Sequence, residues 1–147
     1  MTRKAANDAL LNALLQDDGL LAWTGNFGRP FTPKVANRPL KLLDPKDDPH
    51  LILELGDGSN ALEVGGYAQM PQVEVLVGVL WTEDDYERAF GQATELTDLM
   101  IRAVMLDPSL GGAVEAAWVS KFESDRNANH PRHSANFTVT IEYRVTR

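Results

Sequence analysis

Residues Pro71 to Gly112 constrain this chain more than any other stretch, because a period-two pattern passes into a helical one with almost no room between them. In PQVEVLVGVLW, Val73, Val75, Val77, Val79 and Trp81 share one face, and Glu74, Leu76, Gly78 and Leu80 share the other. Alternation of this kind specifies a strand. The partly apolar second face predicts a central strand, covered on both sides or paired with another subunit. From Tyr86 the apolar positions change spacing: Tyr86, Ala89, Phe90, Ala93, Leu96, Met100 and Val104 form a helical stripe, broadened by Leu99, Ala103 and Leu106. Thr82 is the expected N-cap, and Glu83, Asp84 and Asp85 complement the positive end of the helix dipole. Asp107-Pro108 ends the helix and Leu110-Gly111-Gly112 turns the chain back. A helix of about 22 residues at 1.5 Å rise is a rod of roughly 33 Å, long enough to cross a whole sheet.

The remaining segments supply what such a unit needs. Thr2 to Gln16 predicts a short first helix with Ala6, Leu10, Ala13 and Leu14 inward and Asp17-Asp18-Gly19 as its stop. Leu20 to Trp23 fits either another turn or an extended crossing piece. Residues 24–49 contain prolines at 30, 33, 39, 45 and 49 and predict an irregular arm. HLILEL (50–55) is a short strand, and Gly56-Asp57-Gly58-Ser59 is placed in a turn, so that 56–71 forms a hairpin tip or loop. Val114 to Glu123 predicts a strand with Val114, Ala116, Trp118 and Phe122 on one side. After the polar connection SDRNANHPRHS, Phe137, Val139, Ile141, Tyr143 and Val145 alternate with polar residues in a last half-buried strand. The expected fold is α+β, a single domain over 1–147: a mostly antiparallel sheet of four to five strands against one long helix, with a short N-terminal helix.

The net charge of −7 argues against a general nucleic-acid binder. Its distribution is uneven: residues 82–115 hold eight acids against Arg88 and Arg102, net −6, and residues 29–46 hold five bases against Asp44, net +4. The acids Glu83, Asp84, Asp85 and Glu87 and the bases Arg29, Lys34, Arg38 and Lys41 are therefore candidates for an interface between copies that meet with unlike charges facing. With no cysteine, disulfides and thiolate metal sites are excluded. The first 18 residues lack a signal peptide's apolar core, and no apolar run approaches the about 20 residues that span a bilayer. The expectation is a soluble protein made in a cytoplasm.

Catalytic chemistry finds little purchase. Asp125, His130 and His133 lie in a polar loop interrupted by Pro131, a poor frame for a shared metal. The serines have no GxSxG setting, and Gly56 and Gly58 precede no helix start that would cradle phosphate. Helix capping accounts for the acids at 83–87, and Trp23, Trp81 and Trp118 read as core or interface residues. The reading is of a protein that is not an enzyme and needs no cofactor or metal.

Three parts of the chain carry a family resemblance: ALLNALLQDDGLLAW, then VEVLVGVLW with ATELTDLMIRAVMLDPSLGGAV, then the closing FTVTIEYRVTR. In this order they resemble the tail terminator, or tail completion, proteins of long-tailed bacteriophages. The resemblance implies a structural virion protein, a homo-oligomeric ring, usually a hexamer, at the head-proximal end of the tail. It implies that the ring ends tail growth, with the tail tube protein on one side and a neck or head connector protein on the other, assembled in the host cytoplasm without membrane or specific nucleic-acid partners. The 56–71 tip would then contact the tube or line the ring. A neck or head–tail connector of the same machinery is the alternative station. A cellular ligand-binding or hydrolytic domain using Asp125 and His130 is the reading from a different class.

Overall fold

In the computed structural model, residues 1–35, 43–59, 68–126 and 128–146 are described. Helices α1 (Arg3–Gln16), α2 (Asp18–Thr24) and α3 (Tyr86–Leu106) accompany strands β1 (Thr32–Val35), β2 (His50–Ser59), β3 (Ala68–Gln69), β4 (Gln72–Thr82), β5 (Ala116–Ser124), β6 (Arg132–Glu142) and β7 (Val145–Thr146). Five strands form one sheet in the order β1-β2-β4-β6-β5; β1 runs parallel to β2, and every other pairing is antiparallel. β3 and β7 pair separately. The α+β class and the mostly antiparallel sheet are as the sequence patterns predict.

The alternation in β4 decides which face is core. Val73, Val75, Val77, Val79 and Trp81 are buried beside Leu51 and Leu53 of β2 and Ala135, Phe137, Val139 and Ile141 of β6. α1 contributes Ala6, Leu10 and Leu14 to that core, α2 Leu20 and Trp23, and α3 Leu96, Met100 and Val104. Each fully buried side chain of this size contributes about 1.5–3 kcal/mol, so the one apolar face, rather than helix propensity, holds the layers together. Asp17 explains the break between α1 and α2. Its extended backbone ends the first helix while its carboxylate accepts the Leu20 amide at 2.9 Å, so Leu20–Trp23 become helix rather than an extended piece.

Several local expectations are corrected. Strand β4 continues through Thr82, and Asp85, not Thr82, caps α3, its carboxylate accepting the Arg88 amide at 3.1 Å. Tyr86, Phe90 and Leu106 lie outside the buried stripe; Gln92 lies within it. Trp118 is exposed because it pairs with Thr140 on the sheet face turned away from the helices, and Phe122, past a bulge between Val119 and Lys121 that shifts the register, is exposed opposite Phe137 at the sheet edge. Residues 24–49 are not wholly irregular: a 3-10 turn at Gly25–Phe27, the parallel edge strand β1 and a second 3-10 turn at Pro45–Asp47 lie within them. β6 begins at Arg132, inside the supposed polar connection, while Val145 leaves the main sheet and is partly exposed.

Gly56 to Ser59 form no hairpin turn. They extend β2, with Gly58 opposite Val73 and Ser59 opposite Gln72 across an irregularity after Leu55. A Cβ on Gly58 would stand 2.6 Å from the Gln72 carbonyl oxygen and 2.9 Å from a Val73 methyl. The glycine therefore permits close backbone approach. Gly58→Ala is expected to destabilise the protein by about 1–3 kcal/mol, the range for forced overpacking. Urea unfolding checks this, and an unchanged midpoint would show that the strands separate there freely. Of the rest of the 56–71 expectation, 60–67 lie outside the described residues, and Ala68–Gln69 form β3, paired with β7.

Candidate assembly surface

The acidic start of α3 divides into two pairs. The Glu83 amide donates to the Pro131 carbonyl at 2.9 Å, and its carboxylate folds back to accept from Gln92 Nε2 at 2.9 Å and from the Asp85 amide at 3.3 Å. Its side chain is only 14% exposed, and Asp85 is occupied as the cap. Asp84 and Glu87 face solvent. Of the four candidate acids, these two are free to meet a partner, joined further along the helix by exposed Glu95 and Asp98.

The basic candidates are spread along the arm. Arg29 Nη1 donates to the Lys46 carbonyl at 2.7 Å and lies 3.7 Å from Asp47, so it braces its own arm. Lys34 stands in β1, half-buried, at the sheet edge opposite β5. Arg38 and Lys41 lie outside the described residues. Among the described residues no ion pair joins Arg29 or Lys34 to the acids at 83–87.

A buried polar clasp, invisible in the sequence, anchors the arm's return. Asp48 Oδ1 accepts from His50 Nδ1 at 2.6 Å and from Arg132 Nη2 at 2.9 Å, while Oδ2 accepts from the Thr82 hydroxyl at 2.8 Å. Arg132 Nη1 donates to the Leu43 carbonyl at 2.7 Å. His50 pairs with Leu80 and Thr82 with Arg132, so alternation places the clasp on the sheet face turned away from the helices. Leu43 and Leu80 are buried yet outside the main core, as expected where the arm folds over that face. Thr82 and Arg132 are 34 and 84 residues from Asp48, and no local pattern links them to it. Elsewhere that face is open: Leu76 and Trp118 are each 41% exposed.

The loop once considered for metal binding separates into three roles. Asp125 accepts the Ser134 amide at 3.1 Å. His133 is buried on β6 and donates from Nε2 to the Glu83 carbonyl at 3.0 Å, and His130 stacks on Tyr86 with ring centroids 3.8 Å apart. Among the described residues no group of three or more metal-ligating side chains converges.

Between α3 and β5 runs an open groove of about 420 Å³, lined by Phe90, Ala93, Thr94 and Thr97 from the helix and Phe122 from the strand. Glu123, Ser124 and Arg126 close its end. Phe90 is 71% and Phe122 55% exposed. Adjacent solvent-facing phenylalanines of this size are a mark of interfaces. The sequence pattern placed Phe90 in the core stripe; the signal against it was its position one residue off the Ala89–Ala93–Leu96 line.

No family model matches the chain, and no curated protein matches it. A solved structure described as the virion of a native gene transfer agent particle contains a chain of similar fold, with 14% sequence identity and a TM-score of 0.59. The match covers 98% of this chain and 100% of that one. At this identity the likeness is one of fold.

Proposed function

We propose that this protein is a structural component of a phage-like virion: a ring, a hexamer, on the head-proximal end of the tail tube, where it ends tube growth and offers the head connector a docking surface. The observation that carries the reading is the end-to-end likeness, in both directions, to a chain of a gene transfer agent virion. The surface is compatible with it. A ring requires two different patches on each copy, and among the described residues Arg29 and Lys34 make no ion pair with the acids at 83–87. Asp48, His133 and Glu83 are bonded within the chain, and the role proposed for the protein is structural rather than enzymatic.

Native mass measurement and electron microscopy of the purified protein, alone and mixed with tails assembled without it, test the reading. The expected result is a six-copy ring seated at one end of the tube. A ring that binds at the neck and not at the tube end would assign the connector station instead. A monomer that ignores tails at every attainable concentration would reject the proposal.

A further inference from the structure

We propose that the sheet face turned away from the helices carries a pocket for an arginine side chain of a different protein. The proposal does not depend on the ring reading and concerns a surface that neither the charged arm nor the α3 flank uses.

The pocket grows out of one cross-strand row. Glu74 of β4 pairs with Thr140 of β6, and Thr140 pairs with Trp118 of β5. Residues in register on neighbouring strands share a face. On β2, Gly56 and Asp57 together stand opposite Glu74, because the register shifts between Leu55 and Gly58. Such a bulge bends its strand and re-aims a side chain. The result is an open hollow of about 370 Å³ whose lining includes Asp57, Ser59, Gln72, Glu74, Trp118 and Thr140.

Two properties of the hollow select its occupant. First, Asp57 and Glu74 are exposed, and neither carboxylate has a hydrogen bond or an ion pair among the described residues. The donors beside them are turned elsewhere: Gln72 Nε2 to Glu142 at 2.8 Å, the Thr140 hydroxyl to Ser120 Oγ at 2.9 Å and Arg3 to the Gly56 carbonyl. No lysine or arginine lines the hollow. Second, the Trp118 indole is 41% exposed, whereas Trp23 and Trp81 are each 1% exposed.

An arginine answers both. Its guanidinium is planar and weakly hydrated, forks onto carboxylates and stacks on aromatic faces, which a lysine ammonium does less well. Two strand spacings, roughly 10 Å, separate Glu74 from Trp118. An arginine laid across Thr140 spans that gap, with its stem over the indole and its fork at Glu74 and Asp57. Leu76, on the same face and 41% exposed, offers an apolar seat for a neighbouring residue. A net charge of −7 favours a basic partner over a copy of the same chain.

Fluorine NMR of the full chain tests this. With 5-fluorotryptophan incorporated, the Trp118 resonance is assigned by its loss in Trp118→Phe. A blocked Gly-Arg-Gly peptide is expected to shift that resonance saturably and to leave those of buried Trp23 and Trp81 in place. The citrulline peptide, alike in shape but uncharged, should bind at least tenfold more weakly, as should the arginine peptide to Asp57→Asn/Glu74→Gln protein. Both substituted side chains are exposed, so an unchanged urea midpoint shows that the loss is not unfolding. No Trp118 shift up to the solubility of the arginine peptide, or equal shifts with the two peptides, would overturn the proposal. A Trp118 resonance that moves with protein concentration alone would place a second copy in the pocket and overturn the choice of partner.

Discussion

Asp48→Ala is expected to destabilise the protein by about 3–5 kcal/mol, the range for breaking a buried charge pair by removing one partner. The carboxylate is 3% exposed and holds His50, Arg132 and Thr82 together. Without it, the His50 and Arg132 donors and the Thr82 hydroxyl lose this acceptor. Leaving groups unsatisfied in this way costs more than the bonds themselves contribute. The effect should be read as a lower urea midpoint with an unchanged slope, since the surface exposed on unfolding stays the same. Asp48→Asn keeps the shape but turns one acceptor into a donor facing donors, and should lose about 1–3 kcal/mol. A wild-type midpoint for Asp48→Ala would mean that the clasp exchanges freely with solvent.

Trp23→Ala should be of similar size, about 3–5 kcal/mol, through the cavity it leaves. The indole is 1% exposed and packs against Phe27 at 5.1 Å, Phe31 at 5.8 Å and Trp81 at 5.5 Å between ring centroids. Its Nε1 donates to the Gln92 carbonyl at 3.0 Å, joining α2 to α3. Trp23→Phe separates the two contributions. Ring packing is largely retained, and the Gln92 carbonyl keeps its place in the helical ladder, so the loss should fall to about 0.5–1.5 kcal/mol. If the alanine and phenylalanine variants unfolded at the same denaturant concentration, the hydrogen bond and not the packing would carry the residue's role.

The expected elements were legible where one periodicity ran long enough to be unambiguous. β4 and the interior of α3 follow directly from the positions of Val73 to Trp81 and of Leu96 to Val104. Ends were less legible. Thr82 has a capping side chain, yet strand pairing with Arg132 and the bond to Asp48 hold it in the sheet and pass the cap to Asp85. Gly56 and Gly58 read as a turn because glycine serves both turns and close strand approach, and only the neighbouring strand distinguishes them.

For the candidate surface, the opposite charges of the arm and the helix were readable as composition, but their availability was not. Glu83 and Asp85 proved to be bonded within the chain, and Arg29 to its own arm. Exposure at Phe90 depends on which face of α3 meets the sheet, and exposure at Phe122 on where β5 bulges.

By itself the sequence determined the α+β class, the strand-to-helix unit at its centre and the absence of thiol chemistry, because periodicity and composition are properties of near neighbours and totals. Tertiary structure alone decided the β1-β2-β4-β6-β5 order, the Asp48 clasp and the aromatic groove. Each of these is a meeting of residues far apart along the chain, and such meetings are selected by the global burial of one apolar face rather than by any local preference.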